Sequence, residues 1–231
     1  MCGRYVVKHS KGDMQRVFPQ FQFPELEERL DIRPTTQVLV ATAAPGSTEL
    51  MRWGLLPPWA PDAKAKIASI NAMSETVQQK RMFKKLFEKR RCVLFASGFY
   101  EWRAVSGQKK KQRNLITVGQ GEPIAFAGLW DVWHPKEEAL KSCTILTTGA
   151  NELVSTIHNR MPVILDAKGV EAWLHPDATL DALQAMMAPR APDGMMVRPV
   201  EEPPPPPKKD QAQPEAEAAS DEPESAGEAD T

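Results

Sequence analysis

Cys2 stands directly behind the initiator Met1 in the opening stretch Met-Cys-Gly-Arg-Tyr. A small residue at the second position permits removal of an initiator methionine, which would leave Cys2 at the head of the mature chain. One carbon skeleton would then carry a free α-amine, with a reference pKa of about 7.7–8.0, and a thiol, at about 8.5. Near neutral pH, useful fractions of both groups are unprotonated and nucleophilic. An amine attacks an aldehyde to give a Schiff base. The neighbouring thiol can then add to the imine carbon and close a five-membered thiazolidine ring. No internal cysteine can do this, because its nitrogen is tied up in an amide. The competing reading of Cys2 is an ordinary small residue in a frayed terminus.

Three further polar residues sit where burial is expected. Asn71 lies between Ile70 and Ala72, Glu101 among Phe99, Tyr100 and Trp102, and His158 in Thr-Ile-His-Asn-Arg-Met-Pro. A carboxylate among aromatic rings needs a partner, or its pKa rises. A raised pKa suits a general acid or base working near neutrality. Strand alternation could equally turn Glu101 to solvent, His158 could be a satisfied core or turn histidine, and Asn71 could cap a following helix.

The elements that must hold these groups read as strands with a few helices. Residues 3–9 form a strand candidate leading away from Cys2, and 11–18 a short helix with Ser10 or Asp13 near its start. Residues 19–34 are rich in proline and charge and read as irregular. Strand candidates follow at 38–44 and 49–55. The prolines of Trp-Gly-Leu-Leu-Pro-Pro-Trp-Ala (53–60) stop regular structure, and Trp53 or Trp59 could offer a stacking platform, with the core the natural place for Trp53. Residues 76–91 read as a basic helix whose apolar stripe is Val77, Met82, Phe83, Leu86 and Phe87. Five strands are expected at 92–96, 99–103, 114–118, 124–133 and 142–148. A helical turn over 150–157, a strand at 163–165, helices at 168–174 and 180–187 and a strand at 195–200 complete the body. Strands grouped together with helices between them predict an α+β fold, a single domain with a largely antiparallel, barrel-like sheet flanked by helices.

The 231 residues carry a formal net charge of −1 that hides a division. Residues 201–231 hold ten acidic residues against two lysines, a net of −8, which leaves residues 1–200 at +7. The segment opens with five prolines and has no aromatic residue, so it reads as a disordered acidic tail (201–231) behind a folded domain (1–200). A moderately basic body is compatible with nucleic acid as a partner. Three widely separated cysteines, Cys2, Cys92 and Cys143, suggest neither a disulfide framework nor a zinc site and fit a reducing compartment. No apolar run approaches a membrane span, no secretory signal is visible, and no phosphate-binding or dinucleotide-binding glycine pattern occurs.

Seven segments together carry a resemblance: MCGRY (1–5), WGLLPPW (53–59), INAMSET (70–76), ASGFYEW (96–102), FAGLWDVW (126–133), TILTTGAN (144–151) and IHNRMPVIL (157–165). They resemble, in order and over about residues 1–200, the SRAP family of SOS response-associated proteins, which process abasic sites in DNA. The resemblance implies a cytosolic or nucleoid-associated monomer, with no cofactor, metal or membrane partner, that binds single-stranded DNA and cross-links covalently to an abasic site. It implies that Cys2 is the nucleophile, that Asn71 orients the N-terminal residue or the sugar, and that Glu101 and His158 move protons. Arg4 and Arg160 would hold flanking phosphates, and Trp59 would stack on or wedge against a base. The family's peptidase label would correspond to removal of Met1, and strand scission by β-elimination would be a side activity.

This chain departs from the family at two places. Members often carry arginine two residues after the asparagine, where this chain has Met73, which removes one expected phosphate contact. The ending runs from VRPV (197–200) into acidic sequence, which could lie over a basic DNA face. Two other readings compete. An N-terminal-nucleophile glutamine amidotransferase also begins Met-Cys-Gly, but uses an Asn-Gly pair for its oxyanion hole, and this chain has no Asn-Gly dipeptide. A non-catalytic single-strand binding module would leave Cys2, Glu101 and His158 without a task.

Overall fold

The computed structural model describes residues 2–63, 68–134 and 139–201. The tail expected to be disordered falls, from residue 202, outside the described residues.

Strand β1 (Tyr5–Val7) leads from Cys2 into helix α1 (Lys11–Val17). Both candidate starting residues act there: Ser10 Oγ accepts from the Asp13 N–H, and the Asp13 carboxylate accepts from the Ser10 N–H. Residues 19–34 are not irregular throughout, since they hold β2 (Phe21–Gln22) and β3 (Arg29–Ile32). Pairing of Tyr5 with Ile32 draws β3 into a sheet despite its charge-rich sequence. Next come β4 (Gln37–Ala41), β5 (Gly46–Ser47), β6 (Glu49–Trp53) and β7 (Asn71–Met73). Asn71 therefore opens a strand and caps no helix.

The expected helix over 76–91 shrinks to α2 (Lys84–Lys89), which has no side-chain cap at its start. Residues 74–83 make successive turns that bury Val77 and Phe83. Then follow β8 (Arg91–Ala96), β9 (Gly98–Arg103), β10 (Gln112–Val118), β11 (Ile124–Trp133) and β12 (Leu140–Gly149), all at expected places. The chain closes with α3 (Glu152–Ser155), β13 (Arg160–Pro162), β14 (Ile164–Leu165), α4 (Ala167–Leu174), α5 (Leu180–Met186) and β15 (Met195–Pro199). Asn151, Asp166 and Thr179 cap the three late helices through their side-chain oxygens.

Five strands close a ring: β12 pairs with β6, β6 with β4, β4 with β8, β8 with β11, and β11 with β12. All but the β12–β6 pair are antiparallel, so the expected α+β, barrel-like architecture is present. β7 and β13 extend the barrel from β12, and β14 from β11. A second, antiparallel sheet runs β15-β10-β9-β1-β3. Its inner face rests on the barrel: Tyr5 meets Trp53 and Phe126 edge-on at 5.3 and 5.7 Å, and Phe99 meets Phe126 at 6.2 Å. On its outer face Val6, Tyr100 and Leu115 form a separate small cluster, with Trp102 and Val200 against it. The backbones approach so closely at Gly98 that a Cβ there would lie 2.6 Å from the Ile116 carbonyl oxygen.

Candidate active site

Two layers of the fold meet at the amino terminus. Cys2 and Glu101 come from the five-stranded sheet, one just ahead of β1 and the other on β9. Asn71 and His158 come from the barrel side, one on β7 and the other just before β13, the two strands that flank β12. The alternation of β9 places Glu101 on the face of Phe99, which packs into the barrel, and Tyr100 and Trp102 on the other. Glu101 is thus buried, at 3% exposure, and not turned to solvent.

Asn71 Nδ2 donates to the Cys2 carbonyl oxygen at 3.0 Å and so fixes the backbone of the nucleophile candidate. Its Oδ1 is buried and has no hydrogen-bond partner among the described residues. In the chain that still carries Met1, Cys2 is fully buried. Burial pushes its thiol pKa far above the usual range, and the negative charge of Glu101 pushes it further. Burial likewise raises the Glu101 carboxyl pKa, against the positive charge of the amino terminus and of His158. The Arg160 N–H donates to His158 Nδ1 at 3.0 Å, so the neutral ring carries its proton on Nε2. Cys2, Asn71, Glu101 and His158 are therefore one cluster, containing a hydrogen-bonded backbone, a thiol, a hard-to-ionise carboxyl and an imidazole.

The arginines expected to hold phosphates are already engaged by carboxylates. Arg160 grips Glu75 through both terminal nitrogens, at 2.6 and 3.0 Å, and donates to the Thr147 carbonyl oxygen at 2.6 Å. A phosphate at Arg160 would have to displace Glu75. Arg4 donates to both oxygens of Asp31 at 2.8 Å. Trp59 belongs to a different cleft. It is 59% exposed, while Trp53 is in the core. Its cleft, about 470 Å³, is shared with Arg81, Lys85, Lys89 and Arg90, so part of the basic segment 76–91 faces an aromatic platform. Among the described residues no group of three or more His, Cys, Asp or Glu could hold a metal, and no helix is long and apolar enough to cross a membrane.

Sequence reading passes over Asp31, Arg33, Glu75 and Arg113. Their only signal is charge in segments that read as irregular or solvated, and each acquires its meaning from a partner brought to it by the fold.

The sequence and fold have known relatives. The model of a family described as SOS response associated peptidase (SRAP) matches residues 1–203. Abasic site processing protein YoqW of Bacillus subtilis (strain 168) is 38% identical over 202 residues, covering 84% of this chain and 90% of that protein. Abasic site processing protein YoaM of the same organism is 35% identical over 202 residues, covering 84% of this chain and 88% of its own. A crystal structure of a protein from Bacteroides thetaiotaomicron superposes with a TM-score of 0.78 at 22% identity, over 87% of this chain and 92% of that one. That last likeness speaks for the fold alone.

Proposed function

The chain belongs to the SOS response associated peptidase (SRAP) family, and on that premise we infer that it processes abasic sites in single-stranded DNA by linking them covalently to Cys2. The observation that carries this reading is the cluster around Cys2: Asn71 on its carbonyl oxygen, and Glu101 acting electrostatically on its thiol while itself feeling the charge of His158. Two relatives named as abasic site processing proteins, each matched over most of its length, support the same substrate.

The chemistry begins with removal of Met1, which frees the Cys2 α-amine. The ring-opened abasic sugar presents an aldehyde at C1′. The amine nitrogen attacks that carbon to give a carbinolamine, and loss of one water leaves an imine. The thiol then adds across the C=N bond: sulfur bonds to C1′, and the thiol proton ends on nitrogen. The product is a thiazolidine, with one water released and no change of oxidation state.

Burial keeps the thiol protonated, so the amine acts first. Glu101, whose carboxyl holds its proton above the ordinary carboxylate range, protonates the departing hydroxyl, takes a proton back from the iminium nitrogen as the imine forms, and relays the thiol proton to that nitrogen as the ring closes. His158, with its proton on Nε2, assists opening of the sugar or protonates its ring oxygen. Asn71 holds the Cys2 backbone still, and its buried Oδ1 is an acceptor suited to the freed amine. An imine at C1′ also acidifies the C2′ proton, so β-elimination competes until the thiol closes the ring. Arg4 and Arg160 serve as phosphate contacts once DNA displaces or joins their carboxylate partners, and Trp59 stacks on a base.

The family's peptidase label fits cleavage after Met1, and family membership leaves the amidotransferase alternative without support. Digestion and mass analysis of the adduct test the reading. The N-terminal peptide, lacking Met1, should carry the sugar with the mass of one water lost. Attachment at a lysine, or an adduct on a chain that retains Met1, would overturn it.

A further inference from the structure

The rim of the five-stranded sheet that carries Cys2 and Glu101 on its inner side carries a concentration of positive charge on its outer side. Asp31 accepts from Arg4 at 2.8 Å, from Arg33 Nε at 2.7 Å and from Arg113 at 2.9 Å. One carboxylate thus faces three guanidinium groups. Arg113 is 3% exposed and lies 3.6 Å over the Tyr100 ring, whereas the Arg4 and Arg33 side chains are 29% and 41% exposed. Burial disfavours the Asp31 charge, but hydrogen bonds from Arg4 and Arg33 outweigh it and hold the carboxyl below its ordinary range. Asp31 therefore stays ionised, and a cationic excess remains around it.

Strand register places these groups together. The Tyr5–Ile32 pair sets Arg4 beside Arg33, and Trp102 pairs with Arg113 across β9 and β10. Arg113 also lines an open cavity of about 580 Å³ with Trp102, Lys110, Lys111 and Glu201. The guanidiniums of Arg4 and Arg113 sit 6.0 and 5.8 Å from the Trp102 ring centroid. Arg4, Arg33 and Arg113 thus gather on Asp31, while Lys110 and Lys111 share with Arg113 a cavity that holds Glu201 and the half-buried Trp102 ring. Arg4 is two residues from Cys2, so a strand held at Cys2 reaches this surface by passing over the rim. Met73, two residues after Asn71, offers no cation on that side of the site.

We propose that Arg4, Arg33 and Arg113 around Asp31, with Lys110 and Lys111 beside Trp102, form a subsite for backbone phosphates of single-stranded DNA on one side of the lesion. The proposal rests on the abasic-site reading for the identity of the strand, but not on the cross-linking chemistry. Phosphodiesters suit it because they bring spaced single charges to spaced cations, and the ring gives an adjacent base a face to stack on.

The test uses the full chain and its Lys110→Ala/Lys111→Ala and Arg33→Ala variants. Affinity is measured against labelled single strands carrying tetrahydrofuran, a lesion analogue with no aldehyde, placed at either the 5′ or the 3′ end. The double variant should bind one of these strands about tenfold more weakly at low ionic strength, with the salt slope reduced by about 1.4, near 0.7 per lost phosphate contact. Arg33→Ala should weaken binding to the same strand, with the slope reduced by about 0.7. Binding to the other strand should not change, nor should the melting temperature of the double variant. Equal losses on both strands, or no loss on either, would overturn the proposal. Loss of cross-linking with the strand-specific binding intact would instead count against the chemistry and leave the subsite standing.

Discussion

On the proposed reading, Cys2 freed of Met1 would carry two nucleophiles on one residue, and substitutions would separate them. Cys2→Ser keeps the α-amine and removes the thiol. The imine should still form but the ring should not close, so DNA is retained only after borohydride reduction and strand scission rises. Glu101→Gln should slow cross-linking by about 100-fold, the usual scale for a lost proton-transfer group. It should also leave the fold no less stable. Glu101 has its pKa raised in the folded chain, so the wild type loses stability as pH rises from the ordinary value of 4.5 toward the raised one. The glutamine variant lacks that dependence, and urea unfolding of both proteins across that window should show a gap that widens with pH. A gap that narrowed with rising pH would mean that Glu101 is paired more strongly than its burial implies. The candidates for chemistry at this scale are legible in residue types and their positions along the chain. Cys2 announces itself by its place behind Met1, and Glu101 and His158 by polar character in apolar company. Their mutual placement is not legible there, because it depends on two sheets meeting.

At the scale of elements, β9 carries the site and two features hold it in place. The first is Gly98, where any side chain would collide with the Ile116 carbonyl oxygen. Gly98→Ala should destabilise by roughly 2 kcal/mol or more through overpacking and should shift Glu101 with it. Reduced cross-linking in a protein that still unfolds cooperatively would be its signature. The second is Asp31, which clips β1, β3 and β10 together through arginines. Asp31→Asn should cost ~3 kcal/mol, largely because Arg113 is left buried without its counter-charge. The lowered pKa of Asp31 contributes stability above the ordinary value of 3.8 that is lost as pH falls. The variant should therefore lack part of the wild type's acid sensitivity in urea titrations. Most strands are legible from β-branched and aromatic runs with glycine or proline between them. β3 is not, because a charge-rich segment becomes a strand only by pairing with β1. The segment 76–91 is less helical than its pattern implies, because Val77 and Phe83 are drawn into the core through turns ahead of α2, and a helical stripe looks the same in the sequence.

Across the whole molecule, the closed barrel is the platform and the five-stranded sheet is the layer that brings the amino terminus to it. The barrel-like α+β class follows from the order of elements, but the ring through the parallel β12–β6 pair does not. Charge is distributed to match a polyanion. Residues 1–200 hold the net +7 that the acidic end of the chain conceals in the overall −1, and cations gather at the Trp59 cleft and at the Asp31 rim. The central claim is a covalent bond at Cys2, and one gel tests it most directly. The purified protein is mixed with single-stranded DNA bearing one abasic site, then heated and run under denaturing conditions without borohydride. A slow-migrating band that survives heating and is absent with Cys2→Ala is the predicted result. A band that persists in Cys2→Ala, or no band from a chain whose mass shows Met1 removed, would contradict it.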